Sequence, residues 1–358
     1  MRSAHRSSRY AAGALLVGMA VAATACSSSS TSSAAPAATT GAGSASSAPS
    51  AAAPSAASGS GSGSASGTVT NVTLGYVPYS DDASLFYAQD SGIFQKHGLN
   101  VTFVAQASPV AVEASMASGT EQFGFITTPV LINLASKGVG VKCVSTVDGN
   151  EPTNPANDTT VLVAAKGSGI KSIKDLAGKN VAEVQLTSLN SLSVMVLAKQ
   201  AGIDPHSIHQ IAIPFAQMPA ALAQGRVQAA VIVAPFTQTA LGDGATVLTH
   251  PNQVLFPNGT LTCLDAMGSY ISANPTIVSE FRAAMNEAVT YSATHQAEVK
   301  QSLVKGLSLT AAVAAKQVLA TNFSTSFNQA SITQIANDMK EFGIISTAPD
   351  PSSLIWNP

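Results

Sequence analysis

The chain is poor in the residues that mark most enzymes and nucleic-acid binders. Of its 358 residues only 10% are charged and 5% aromatic, with one Trp and three Cys. Lys and Arg form no run, so nucleic acid is excluded as a partner. No G-x-S-x-G, H-E-x-x-H or phosphate-loop sequence is present. The six His show no metal-ligand spacing; His206 and His209 stand three apart beside Asp204-Pro205, which a surface turn explains. No catalytic residue, metal ligand or cofactor is therefore assigned.

The sequence also lacks a long hydrophobic run. The apolar stretch 11–23 is too short to span a bilayer as a helix. Preceded by Arg2, Arg6 and Arg9, and followed by small residues up to Cys26, it reads as a secretory signal over residues 1–25. Ala23-Thr24-Ala25-Cys26 resembles a bacterial lipobox, in which the Cys is lipidated; it is also an ordinary A-x-A cleavage site. Residues 27–67 carry no charge and consist almost wholly of Ser, Ala, Gly and Pro. Such a segment cannot bury enough apolar surface to offset its chain entropy. Placed directly after Cys26, the stretch 26–67 is expected to be a disordered tether spanning roughly 35 Å.

Residues 68–358 are the expected folded part. Without the three signal Arg, the 17 basic residues fall to 14 against 19 acidic, a net charge of −5. The stretch is too long for one comfortable core and predicts two lobes. Its two cysteines, Cys143 and Cys263, form an even pair in an exported chain, more often a disulfide than a metal site.

Short strands alternate with helices. Residues 69–77 read as a strand ended by Pro78, 83–94 as a helix, and 99–105 as a strand. A helix from Pro109, strand 122–126, a helix from Pro129 and strand 139–147 follow. This rhythm predicts an α/β fold with parallel-rich sheets flanked by helices. Asn274-Pro275 opens a helix with Ile277, Phe281, Ala284, Ala288 and Tyr291 at helical spacing. From 275 to about 342 the chain reads almost wholly helical. Residues 114–129 also align without gaps to 220–235, with Ala114, Ala117, Gly119, Gln122, Ile126 and Pro129 repeated as Ala220, Ala223, Gly225, Gln228, Ile232 and Pro235. Each copy reads as a helix, a glycine at its C-terminal cap, a buried strand and a Pro opening the next helix. Two copies of one α/β unit predict two related lobes.

Gly75-Tyr76-Val77-Pro78, then residues 86–94 (FYAQDSGIF) and 96–101 (KHGLNV), resemble the start of the sulfonate, nitrate, taurine and thiamine-precursor binding proteins of ABC importers. Residues 173–181 (IKDLAGKNV), 201–205 (AGIDP) and 218–236 continue the resemblance to this SsuA/NMT1-like group. It covers about residues 69–291. It implies a type II periplasmic binding protein: two lobes joined by two hinge strands that close on a small molecule. Lobe 1 would hold 68–152 plus 249–358, and lobe 2 158–248. The implied protein is a monomer on the extracytoplasmic face of a bacterial cell membrane, with an ABC permease as partner. The group includes enzymes such as thiamine-pyrimidine synthases, but these carry a Cys-rich iron motif that three Cys cannot supply. A ligand sensor is a further alternative.

In open α/β sheets, ligands sit beyond the carboxyl ends of strands. That rule selects Tyr79, Asp81 and Asp82 after the first strand, Gln106 after the second, and Thr127 and Thr128 after the third. In the second lobe it selects Gln185, Thr187, Ser188 and Asn190, then Phe215 and Gln217, and finally Pro235. Ser, Thr, Asp and Asn at such places also serve as helix caps whether or not a ligand is bound. None of these loops carries Lys or Arg. Binding proteins for amino acids usually clamp the carboxylate with Arg, so that ligand class is disfavoured. Helix N-termini can still hold an oxyanion. Leu186, where the sulfonate binders have Gly, and the nearby Glu183 argue against a simple sulfonate or nitrate. Asp81 and Asp82 suit an amine, on which Tyr79 and Phe215 can stack.

Overall fold

The computed structural model describes residues 69–147, 158–319 and 323–358. The expected signal segment, Cys26, the tether and the lobe limits at 68 and 152 lie outside them. Ten strands form two five-stranded sheets. The first holds β1 (Thr70–Tyr76), β2 (Leu99–Ala105), β3 (Phe123–Thr127), β4 (Val141–Ser145) and β10 (Thr262–Met267), in the order β2-β1-β3-β10-β4. The second holds β5 (Thr160–Ala164), β6 (Asn180–Glu183), β7 (His209–Ala212), β8 (Ala229–Val233) and β9 (Thr246–Thr249), in the order β7-β6-β8-β5-β9. In each sheet four strands run one way and one opposes them, β10 in the first and β5 in the second. The topology is that of the parallel-rich α/β fold that the alternating pattern predicts.

Strand composition follows position in the sheet. The central strands β5 (TVLVA) and β8 (AAVIV) are buried along their whole length, because helices cover both faces. Edge strand β2 alternates buried and exposed residues in its first half, and edge strand β7 is mostly exposed. Close helix packing explains Gly124 of β3. A Cβ there would overlap Met116 Sδ, and would lie 2.9 Å from Val112 Cγ1 of the helix Pro109–Ala117.

The internal repeat has a structural counterpart. Gly119 and Gly225 both adopt left-handed φ, +76° and +69°, and end their helices. Three residues on, Gln122 donates from Nε2 to Gly119 O (3.0 Å) and accepts the Thr73 amide at Oε1 (2.9 Å). Gln228 donates to Gly225 O (3.1 Å) and accepts the Asn180 amide (3.1 Å). The same side chain thus ties each helix cap to the neighbouring strand, the middle of β1 in one sheet and the start of β6 in the other. β3 and β8 occupy equivalent places in the two sheet orders.

Two expected helices are interrupted. The segment 83–94 divides into Ala83–Asp90 and Ile93–Lys96, because Gly92 at φ +76° breaks the helical path. The helical C-terminal region consists of Pro275–Ser292, three short helices ending at Ala314, and Gln329–Glu341; residues 315–319 and 323–328 are not helical. Cys143 of β4 and Cys263 of β10 are paired, with Cα atoms 5.4 Å apart and 120 residues between them in sequence.

Substituting Gly124→Ala should lower unfolding stability by about 1–3 kcal/mol through overpacking against Met116. Gly140→Ala, where an added Cβ meets nothing within 4 Å, should change it by less than about 0.5 kcal/mol. Urea denaturation of the two variants in parallel measures the contrast.

Candidate functional site

The carboxyl ends of β1–β3 and β6–β8 meet across an interlobe cleft that is shut in this structure. Contacts between described residues cross it. The Ser80 amide donates to Ala234 O at 3.0 Å. Thr159 Oγ1 donates to Asp81 Oδ2 at 2.8 Å, and Gln185 Nε2 donates to Glu113 Oε1 at 2.8 Å. The Tyr79 ring packs edge-on against Phe215, with centroids 6.2 Å apart. Most residues making these contacts come from loops that the strand-end rule selects, joined by Thr159 just before β5 and by Glu113 from the helix Pro109–Ala117.

Pro78 ends β1 and frees the chain to turn. Tyr79, Ser80, Asp81 and Asp82 follow in a short 3-10 turn and are all buried. Asp82 Oδ2 accepts the Tyr79 amide at 2.9 Å, which fixes the turn. Tyr79 stacks on Phe125 (5.8 Å) as well as meeting Phe215, which in turn stacks on Phe236 (6.5 Å). This places an aromatic wall beside Asp81. Burial pushes the Asp81 carboxyl up to about 6, against the opposing hydrogen bond from Thr159; its Oδ1 is buried without a partner.

Across the cleft, Ser188 caps the helix Leu189–Gln200, its Oγ accepting the Ser191 amide at 3.3 Å. Gln185 donates to both Glu113 and Thr187 Oγ1 (2.8 Å) while its Oε1 stays unpartnered. Asn190 is buried with a free Nδ2, and Thr237, at the start of the helix after Pro235, has a free Oγ1. Pro235 follows a cis peptide bond, and the carbonyl before it receives the Ser80 amide. Glu183, at the end of β6, is fully buried with neither oxygen partnered, and burial raises its pKa well above the usual carboxylate range. A pocket of about 470 Å³ opens between Ser108 and Val110 on one side and Val184, Gln185, Leu186 and Thr187 on the other.

The remaining sequence-selected residues are placed differently. Thr128 is buried and commits its hydroxyl to Thr260 O (2.7 Å), holding the returning strand segment. Thr127 Oγ1 is buried and unpartnered at the start of that helix. Gln106 donates to Glu121 and Ser115, and Gln217 is exposed. Sequence reasoning missed Glu113, Thr159 and Gln317. Thr159 stands just before β5 rather than after a strand. Gln317 accepts from Ser80 Oγ at 3.2 Å across 237 residues of chain, a separation for which no local pattern exists.

Residues 80–299 match the family model described as NMT1/THI5 like. The bicarbonate transport ATP-binding protein CmpC of Synechocystis is 25% identical over 265 residues, which cover 70% of this chain and 38% of that protein. The 4-amino-5-hydroxymethyl-2-methylpyrimidine phosphate synthase of Legionella pneumophila is 28% identical over 129 residues, 36% of this chain and 38% of the synthase. The chain thus spans well under half the length of these two relatives. The periplasmic aliphatic sulphonate binding protein SsuA of Escherichia coli has the same fold, with a TM-score of 0.64 and 22% identity over 80% of this chain and 97% of that one.

The raised pKa of Asp81 makes the folded state hold a proton that the unfolded state has released. Stability contributed by this carboxyl is therefore fully present below about pH 4 and lost as pH rises toward about 6. Asp81→Asn should raise stability at pH 7 by on the order of 2 kcal/mol and change it little at pH 4. Denaturant midpoints of wild type and variant at the two pH values check both halves.

Proposed function

Because the chain belongs to the NMT1/THI5-like family, we propose that it is the extracytoplasmic solute-binding lipoprotein of an ABC importer. It captures a small organic solute, such as a sulfonate or an amino-heterocycle, in the interlobe cleft. The observation that carries this reading is the set of buried strand-end side chains joined across the two sheets, above all Asp81–Thr159 and Gln185–Glu113. A solute touching both sides stabilises the shut state, and binding shifts the population toward it. The lobes are 68–152 plus 249–358, and 158–248, hinged where the chain passes between them. The permease would recognise the outer surface of the closed form. Tyr79, Asp81, Asp82, Gln185, Thr187, Ser188, Asn190 and Phe215 form the contact set, with Gln106, Thr127, Thr128, Gln217 and Pro235 at its margins. Cys143–Cys263 forms a disulfide in the oxidising space outside the membrane, and Cys26 carries the lipid. A signal over 1–25 and the tether 26–67 complete the anchor. The protein works as a monomer without metal or cofactor.

The similarity to a pyrimidine phosphate synthase favours a second reading, an enzyme on the same fold. The two separate by the fate of the ligand: a carrier returns it unchanged, whereas an enzyme consumes it.

A thermal-shift screen of sulfonates, nitrate, pyrimidines, flavins and polyamines should yield a compound that raises the melting temperature, since a ligand bound only to the native state stabilises it. Asp82→Ala and Ser188→Ala should each reduce that shift, and mass spectrometry should recover the ligand intact. Unchanged shifts in both variants would overturn the site assignment. Cys26→Ala should move the protein from the membrane fraction to the soluble fraction.

A further inference from the structure

The cleft is acidic and almost without positive charge. Asp81, Asp82 and Glu183 stand at strand ends and are 6%, 0% and 0% exposed. Half-buried Glu113 accepts a hydrogen bond from Gln185. None of the strand-end loops at 77–82, 106–108, 184–188, 213–217 and 234–237 carries Lys, Arg or His. Exposed Lys137 acts on Glu113 from the far end of the helix Thr128–Ser136. Burial lowers the pKa of His250 and so disfavours its charged form, against a backbone hydrogen bond at Asp158.

Buried polar atoms are also left open. Asp81 Oδ1 and Gln185 Oε1 are acceptors without a donor, and neither Glu183 oxygen has a partner. Against them Asn190 Nδ2 is a free donor, and Thr127 and Thr237 have hydroxyls able to act either way. At the N-terminus of the helix Leu189–Gln200, a place suited to an anion, the Ser191 amide is already taken by Ser188 Oγ. Tyr79, two residues before Asp81, meets Phe215 edge-on, and such rings can attract a cation.

We propose that the cleft selects a solute of net positive charge: a small amine or amidine whose nitrogen pairs with Asp81 Oδ1 and whose carbon frame lies against Tyr79 and Phe215. This rests on the reading of the interlobe cleft as the ligand site and narrows it to one class. The cation supplies the donors that the buried acceptors lack, and it favours the ionised form of Asp81 that burial opposes. An organic oxyanion would place like charge against the same carboxyls.

The test is calorimetric titration of the purified protein with benzylamine, agmatine and choline as cations, taurine as a zwitterion, and propanesulfonate and nitrate as anions. At least one cation should bind, weakened tenfold or more by Asp81→Asn and several-fold by Phe215→Leu. Circular dichroism shows whether each variant folds, and Phe215→Leu keeps the test open if Asp81→Asn does not. Binding of an anion or of taurine alone, or of a cation with equal affinity to wild type and both variants, overturns the proposal. If Ser188→Ala weakens such an anion, the cleft stands as the site and only the charge class fails. Binding by none of the six also overturns the proposal, and the broader thermal-shift screen then judges the cleft separately.

Discussion

Each sheet is completed by a strand that the chain brings across from the other. β10 lies between β3 and β4, and β5 lies between β8 and β9. Both are hydrogen-bonded in antiparallel register on their two sides. Because these strands oppose their neighbours, they begin at the edge where the others end. Thr159 and Thr160 at the head of β5, and Leu261 and Thr262 at the head of β10, therefore stand at the cleft. The entries to these crossing strands and the candidate ligand site lie at the same sheet edge. Thr159 binds Asp81, and Thr128 binds both Thr260 and Leu261. A change at Asp81 therefore acts directly on the segment that enters β5.

That arrangement is bought with buried polarity. Asp81 and Glu183 are held without full partnership near the cleft, and Asp265 is likewise buried in the middle of β10 with both oxygens unpartnered. Burial raises the pKa of all three carboxyls, so each holds its proton to a higher pH in the folded chain than in the unfolded one. Apolar side chains of similar volume would stabilise the shut state more, because a buried polar group without a partner costs free energy. At Asp81 and Glu183 the loss is consistent with a site whose partner arrives from outside. For Asp265, which lies close to the Cys143 and Cys263 sulfurs, the structure offers no such account.

Much of the fold was legible in the sequence because it is carried by local signals. Apolar runs such as AAVIV at β8 mark buried strands, and Gly119 and Gly225 mark helix ends. The matched Gln122 and Gln228 mark two related units, and each makes the same pair of hydrogen bonds. The break at Gly92 was harder to read, since hydrophobic spacing continues across it through Ile93 and Phe94. The candidate site was legible only in part. The strand-end rule brought Tyr79, Asp81, Gln185, Ser188 and Phe215 together, but it does not separate a residue facing the cleft from one serving the backbone. Thr128 and Gln106 show the difference. Glu113 and Gln317 reach the cleft from a helix side and from the distant C-terminal region, where only tertiary packing decides position.

The strand exchange also sets an order of assembly. β5 to β9 come from one uninterrupted stretch, so the second sheet has all its strands once residue 249 has been synthesised. The first sheet does not. β3 and β4 keep facing edges open, and the Cys143 thiol waits for its mate, until residues 262–267 emerge well over a hundred positions after β3. Non-local pairing of this kind is slow and leaves unpaired edges exposed meanwhile. The N-terminal half of the nascent chain is therefore the part most dependent on protection from self-association, although it is made first.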